Sequence, residues 1–125
     1  MSAKVVDASA VLSVLLDAPE AADVAPRLDS HELFAPVLIV FEVVNVRWKK
    51  ARLYPQKRNA LRDALFEFRR MDIDLRDIDP EEVFDLAVRH KLTGYDASYL
   101  WLARELNAEL VTLDKELIAA AKLTA

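Results

Sequence analysis

Short apolar runs alternate along this chain with longer stripes whose apolar residues recur every three or four positions, which predicts strands interleaved with helices. Val5-Val6 reads as a short buried strand, and Asp7-Ala8-Ser9 starts a helix through about Leu16. Pro19 suits a first helical turn, so a second helix is predicted from Pro19 to Leu28. Leu33-Phe34-Ala35 is the next strand, and Pro36 then leads a long helix from about Val37 to Leu53. The β-branched residues Val37, Ile39, Val40, Val43, Val44 and Val46 would also suit a strand. Length and the charged tail Arg47, Lys49, Lys50 and Arg52 decide for a helix.

Pro55 reopens a helix to about Met71, with Ala60, Leu61, Ala64, Leu65 and Phe68 as its apolar stripe. Ile73-Asp74-Leu75 alternates like a strand. Asp79-Pro80-Glu81-Glu82 is a helix start leading to Lys91, with proline in the first turn. Gly94 precedes a helix from Asp96 to about Asn107. Leu110-Val111-Thr112 is the last strand, and a final helix covers Asp114 to about Lys122. Alternating strands and helices imply an α/β fold around a parallel sheet. At 125 residues, one domain spanning 1–125 is expected.

Composition narrows the function classes. A hydrophobic fraction of 54% with 30% charged residues is globular. No apolar run approaches the roughly 20 residues that cross a bilayer, and Lys4 is followed by only two apolar residues before Asp7, which is no secretory pattern. The absence of cysteine excludes disulfides, zinc–thiolate sites and thiol nucleophiles, so a cytoplasmic setting is expected. A single glycine excludes a Gly-rich phosphate loop. The net charge of −4 argues against a protein that coats nucleic acid, but nine of the 17 basic residues lie between Arg47 and Arg70. That segment either holds a phosphate backbone or is a solvated helix face.

The acidic residues Asp7, Glu42, Asp96 and Asp114 sit in or beside apolar segments, far apart in sequence. A buried, unpaired carboxylate costs several kcal/mol, on the order of a small domain's whole stability margin. Acids so placed need a cation, a proton or hydrogen bonds, and a divalent ion would serve all of them if they converge. Asp7, Asp96 and Asp114 each stand at a junction into a helix, where aspartate also caps amides. Asp7 and Asp114 follow strands, and ligands of parallel α/β sheets gather at strand carboxyl ends. Glu42 lies inside its helix, where capping is not available; its alternative is a hydrogen bond to Asn45 at i+3.

Four motifs carry a family resemblance over nearly the whole chain: Val6-Asp7-Ala8-Ser9-Ala10, Phe41-Glu42-Val43-Val44-Asn45, Tyr95-Asp96-Ala97-Ser98-Tyr99-Leu100-Trp101-Leu102-Ala103, and Leu110-Val111-Thr112-Leu113-Asp114-Lys115-Glu116-Leu117. With these the chain resembles the PIN-domain ribonucleases, in particular the VapC-type toxins of bacterial toxin–antitoxin pairs. The resemblance implies a three-layer α/β/α fold with a mainly parallel sheet of four or five short strands, and Mg²⁺-dependent cleavage of RNA. It places Asp7, Glu42, Asp96 and Asp114 on the family's acidic quartet, with Asn45, Thr112 and Ser9 as supporting groups.

Oxygen ligands suit Mg²⁺ or Mn²⁺. Asp7 and Asp96 are expected to hold the principal ion, with Glu42 and Asp114 acting directly or through water. Arg47, Lys49, Lys50 and Arg52 are the candidate RNA contacts. The resemblance further implies an antitoxin that covers the acidic cleft with an inserted Arg or Lys. Self-association is expected too, since Trp48, Tyr54, Phe66 and Phe68 flank the basic segment and aromatic residues with arginine are enriched at interfaces. Rival readings are a housekeeping RNA-processing nuclease and a non-catalytic interaction module on the same fold. A receiver domain wants adjacent acids after the first strand, and a dehalogenase-type phosphatase wants aspartate where Ser9 stands.

Overall fold

The computed structural model describes residues 2–16, 18–29 and 31–124. Four parallel strands form one sheet in the order β3-β2-β1-β4: β1 (Ala3–Val6), β2 (Glu32–Pro36), β3 (Asp74–Arg76) and β4 (Glu109–Val111). The central strand β1 pairs Val5 with Phe34 on one side and with Leu110 on the other. Val5 and Val6 are fully buried, as a parallel sheet covered on both faces requires.

Helices α1 (Ala8–Leu15), α2 (Ala21–Leu28), α3 (Leu38–Leu53) and α4 (Arg58–Arg70) pack on one another, as do α5 (Pro80–His90), α6 (Gly94–Glu105) and α7 (Lys115–Thr124). One hydrophobic cluster joins both groups to the sheet through Val11, Ile39, Val43, Tyr99, Leu100, Val111 and Leu117. The chain is therefore α/β with helices flanking a parallel sheet, as the alternation of runs and stripes predicts. The sheet has four strands among the described residues. No helix among them is long and apolar enough to cross a membrane.

Element boundaries depart from the sequence reading in ways that have local causes. Pro19 and Glu20 form a turn closed by the Ala21 amide on the Ala18 carbonyl at 2.8 Å, so α2 begins at Ala21 rather than at Pro19. The turn after Tyr54 is 3₁₀ over Pro55–Lys57 before α4 proper starts. The strand predicted over 73–75 is shifted one residue later, and that over 110–112 one residue earlier. The change that bears on chemistry is at α6, which starts at Gly94 and not at Asp96. Thr93 is its cap, its hydroxyl accepting the Asp96 amide at 3.0 Å.

Candidate metal centre at the carboxyl edge of the sheet

From β1 the chain builds outward to β2 and β3 and then returns to place β4 on the other side of β1. This reversal leaves a crevice beyond the carboxyl ends of β1 and β4, the usual ligand position in an open α/β sheet. Asp7 leaves β1 there, and its amide extends the ladder by donating to the Val111 carbonyl at 3.2 Å. Asp114 leaves β4 three residues after Val111.

Asp7 is 5% exposed and accepts three hydrogen bonds. Its Oδ1 takes the Ala10 amide at 3.0 Å and the Ser9 hydroxyl at 2.7 Å, and its Oδ2 takes the Thr112 hydroxyl. Thr112 in turn accepts the Asp114 amide at 3.0 Å, and Ser9 accepts the Leu113 amide at 3.0 Å. Two segments about a hundred residues apart are thus sewn together around one carboxylate. Burial pushes the Asp7 pKa up from the ordinary value; the bonds from Thr112, Ala10 and Ser9 oppose this, and the Asp114 charge adds to it.

Asp114 caps α7, accepting the Leu117 amide at 3.1 Å. Asp7 caps α1 by the same device, so both strand-end acids have a structural task. Asp96 has none. Thr93 does the capping at α6, and among the described residues the Asp96 carboxylate accepts no hydrogen bond and meets no cation. This corrects the expectation that Asp96 sits at a capping junction. Its pKa is raised first by burial and then by the charges of Asp114, Glu42, Asp7 and Glu116. The four acids named from sequence therefore converge on one region, and the exposed Glu116 borders it.

Glu42 lies on α3, half-buried, and Oε1 accepts the hydroxyl of Tyr99 from α6. The Glu42–Asn45 bond that helical spacing offers does not form: Asn45 is exposed and its side chain makes no hydrogen bond among the described residues. Tyr99 was not singled out from sequence. Its one signal there is spacing, three positions after Asp96, which puts both on one face of α6.

The donors are all oxygen, the acids repel one another, and among the described residues none is salt-bridged. Among those residues no group of three or more His, Asp or Glu side chains would enclose an ion unaided. The all-oxygen donor set is of the kind that suits a hard divalent ion such as Mg²⁺ or Mn²⁺.

The basic segment divides. Lys49, Lys50 and Arg52 are exposed, and Arg52 lies over Trp48 at 5.0 Å from the ring centre. Arg47 does not belong with them. It is 3% exposed on the inward face of α3 below Ile39 and Val43, and its Nε and Nη2 have no partner. A side chain so covered does not reach a phosphate, which corrects its grouping with the RNA contacts. Of the four aromatic residues noted, Trp48, Tyr54 and Phe66 are exposed and Phe68 packs against the core. An apolar groove of about 600 Å³, away from the acids, lies between α3, α4 and β3; Val40, Val44, Leu65, Phe66 and Leu75 line it, with Arg62 and Arg69 among its wall residues.

Comparison with known proteins places these features in context. The profile of the PIN domain family matches residues 4–123. The chain is 34% identical over 119 residues to "Ribonuclease VapC3" of Pyrobaculum aerophilum, covering 90% of each protein. It is 37% identical over 89 residues to "Exonuclease VapC9" of the same organism, covering 68% of this chain and 64% of that protein. The crystal structure of PAE2754 from Pyrobaculum aerophilum superposes with a TM-score of 0.80 at 31% identity, over 97% of this chain and 86% of that one.

Proposed function

The chain belongs to the PIN domain family, and on that footing we propose that it is a divalent-metal-dependent endoribonuclease, the toxin of a toxin–antitoxin pair acting in the cytoplasm. The observation that carries the reading is the convergence of Asp7, Glu42, Asp96 and Asp114 at the sheet's switch point, with no cation among the described residues paired to them. Relatives named as a ribonuclease and an exonuclease support nuclease chemistry.

Asp7 and Asp96 would hold Mg²⁺, or Mn²⁺ in its place, with Glu42 and Asp114 reached directly or through water. When bound, such an ion supplies positive charge against the phosphodiester and lowers the pKa of an attacking water. The chain's own residues do the positioning. Ser9, Thr112 and the Ala10 amide fix both oxygens of Asp7. Asp96, free of any capping bond, is the carboxylate most available to an ion. Lys49, Lys50 and Arg52 offer an exposed cationic strip to the RNA backbone.

For the antitoxin, the reading is supported by an apolar stripe along α3 and its cap residue: Val37, Phe41, Val44 and Trp48 recur at helical spacing, are all exposed, and flank Glu42. A partner helix lying there can carry a basic side chain into the cleft. A homodimer is the second partner we propose, through the exposed aromatic residues around Tyr54 and Phe66.

The test is cleavage of labelled linear and circular RNA by the purified chain in Mg²⁺, in Mn²⁺ and in EDTA. Cleavage of both substrates with the ion, and of neither in EDTA, is expected; Asp7→Asn and Glu42→Gln should lose it. Activity on linear RNA alone would replace the endonuclease with an exonuclease. Undiminished activity in EDTA would reject the metal centre.

A further inference from the structure

We infer that Tyr99 is a positioning residue for this cleft: its hydroxyl ties down one oxygen of Glu42 and so fixes how that carboxylate is presented to a divalent ion. The inference rests on the nuclease reading above. Tyr99 is 1% exposed and sits in α6 among Leu100, Leu102 and Ala103 of the core. Its phenol crosses from α6 to α3 and donates to Glu42 Oε1, bridging residues 57 apart in sequence. On its own helix it lies on the face of Asp96, one turn further in. One side chain therefore joins the two helices that carry Glu42 and Asp96.

The chemistry of the pair is one-directional. A tyrosine hydroxyl has a single proton to give, and here it goes to Oε1. Among the described residues Glu42 accepts no second hydrogen bond and faces no cation, so Oε2 is left without a protein donor. Without the phenol, Glu42 would be a long acid on an open helix face, repelled by Asp96. Fixing such a side chain in advance removes the rotamer entropy that an ion would otherwise have to overcome. Groups that orient metal-binding side chains commonly change ion affinity or activity by about 10–100-fold when removed.

Phenylalanine keeps the buried ring and removes only the oxygen. Tyr99→Phe, Glu42→Ala and the double variant are compared by calorimetric titration with Mn²⁺, by thermal melting in EDTA and by RNA cleavage. We expect Tyr99→Phe to melt as a folded protein, to bind Mn²⁺ about tenfold more weakly, and to lose kcat with KM for RNA unchanged. In the Glu42→Ala background the Tyr99 effect on Mn²⁺ affinity should vanish. Unchanged Mn²⁺ affinity and kcat in Tyr99→Phe overturn the inference, as does a loss that persists in full beside Glu42→Ala. Should Tyr99→Phe not fold, Glu42→Asp keeps the charge but withdraws it from the hydroxyl; Mn²⁺ affinity equal to the parent's then overturns the inference. A parent protein that neither binds Mn²⁺ nor cuts RNA is a different result and rejects the nuclease reading itself.

Discussion

Replacing Asp96 by asparagine separates a functional acid from a structural one. If Asp96 capped α6, its loss would destabilise the protein by about 1 kcal/mol. Thr93 caps that helix instead, and Asp96 stands among four acids that raise its pKa. Neutralising it therefore removes repulsion and breaks no bond. Charge pairs at this degree of exposure are worth about 0.2–1 kcal/mol, which sets the scale of the repulsion relieved. The ion-free Asp96→Asn protein should thus be more stable by about 0.5–1 kcal/mol, a rise in Tm of roughly 2–4 °C for a chain of this size. In Mg²⁺ the order reverses. The parent gains stability by binding the ion in its folded state, while Asp96→Asn gains little and cuts no RNA. Melting curves in EDTA and across a Mg²⁺ series, with cleavage on the same samples, read all three effects. An Asp96→Asn protein that melts lower in EDTA, or that keeps the parent's Mg²⁺ response and cleavage, refutes the reasoning.

Three further outcomes are expected. Arg47 buries a guanidinium whose Nε and Nη2 lack partners and whose pKa burial lowers, so Arg47→Met should stabilise by about 1–3 kcal/mol; urea unfolding that shows a loss would mean the guanidinium is better compensated than its contacts indicate. Asp7 and Asp96 bind protons more tightly when folded, because burial raises both. The stability they lend is complete below the ordinary aspartate value of about 3.9 and declines as pH rises through their raised values. Glu109, lowered by Lys4 and Arg27, acts in the opposite sense and is lost as pH falls through its lowered value. The ion-free protein should therefore lose this contribution as pH rises above about 4, with Mg²⁺ offsetting the loss; a melting profile against pH that Asp7→Asn and Asp96→Asn leave unchanged would contradict the buried acids. Reversing Lys49, Lys50 and Arg52 to Glu should weaken RNA binding and flatten its salt dependence by about 2 in log–log slope, at roughly 0.7 per lost phosphate contact on a single strand; anisotropy titrations with an unchanged slope would move the RNA elsewhere.

The acids were legible in the sequence because charge inside apolar runs conflicts with burial, and the conflict marks Asp7, Glu42, Asp96 and Asp114 without any coordinates. The strands were legible for a related reason: Val5-Val6 and Leu110-Val111 are short, apolar and followed within three residues by a helix-starting aspartate. What stayed hidden depends on tertiary neighbours. The sequence places Gly94 before the helix, yet Thr93 supplies the cap and the helix begins two residues earlier, freeing Asp96. Arg47 read as one more cation in a solvated run; only the packing of α3 against α1 and α4 shows it turned inward. The choice of Tyr99 over Asn45 as the partner of Glu42 was decided by α6, a helix more than fifty residues away. Periodicity assigns a residue to a face but does not say which element covers that face.

The network around Asp7 also governs when the protein acquires its chemistry. During synthesis α1, β2 and α3 emerge long before β4, so Asp7 and Glu42 wait in a growing polypeptide for Thr112 and Asp114 to arrive. Sheet closure beside β1 is a late, non-local event, of the kind that folds slowly. The pocket around Asp7 therefore cannot assemble until β4 has emerged from the ribosome.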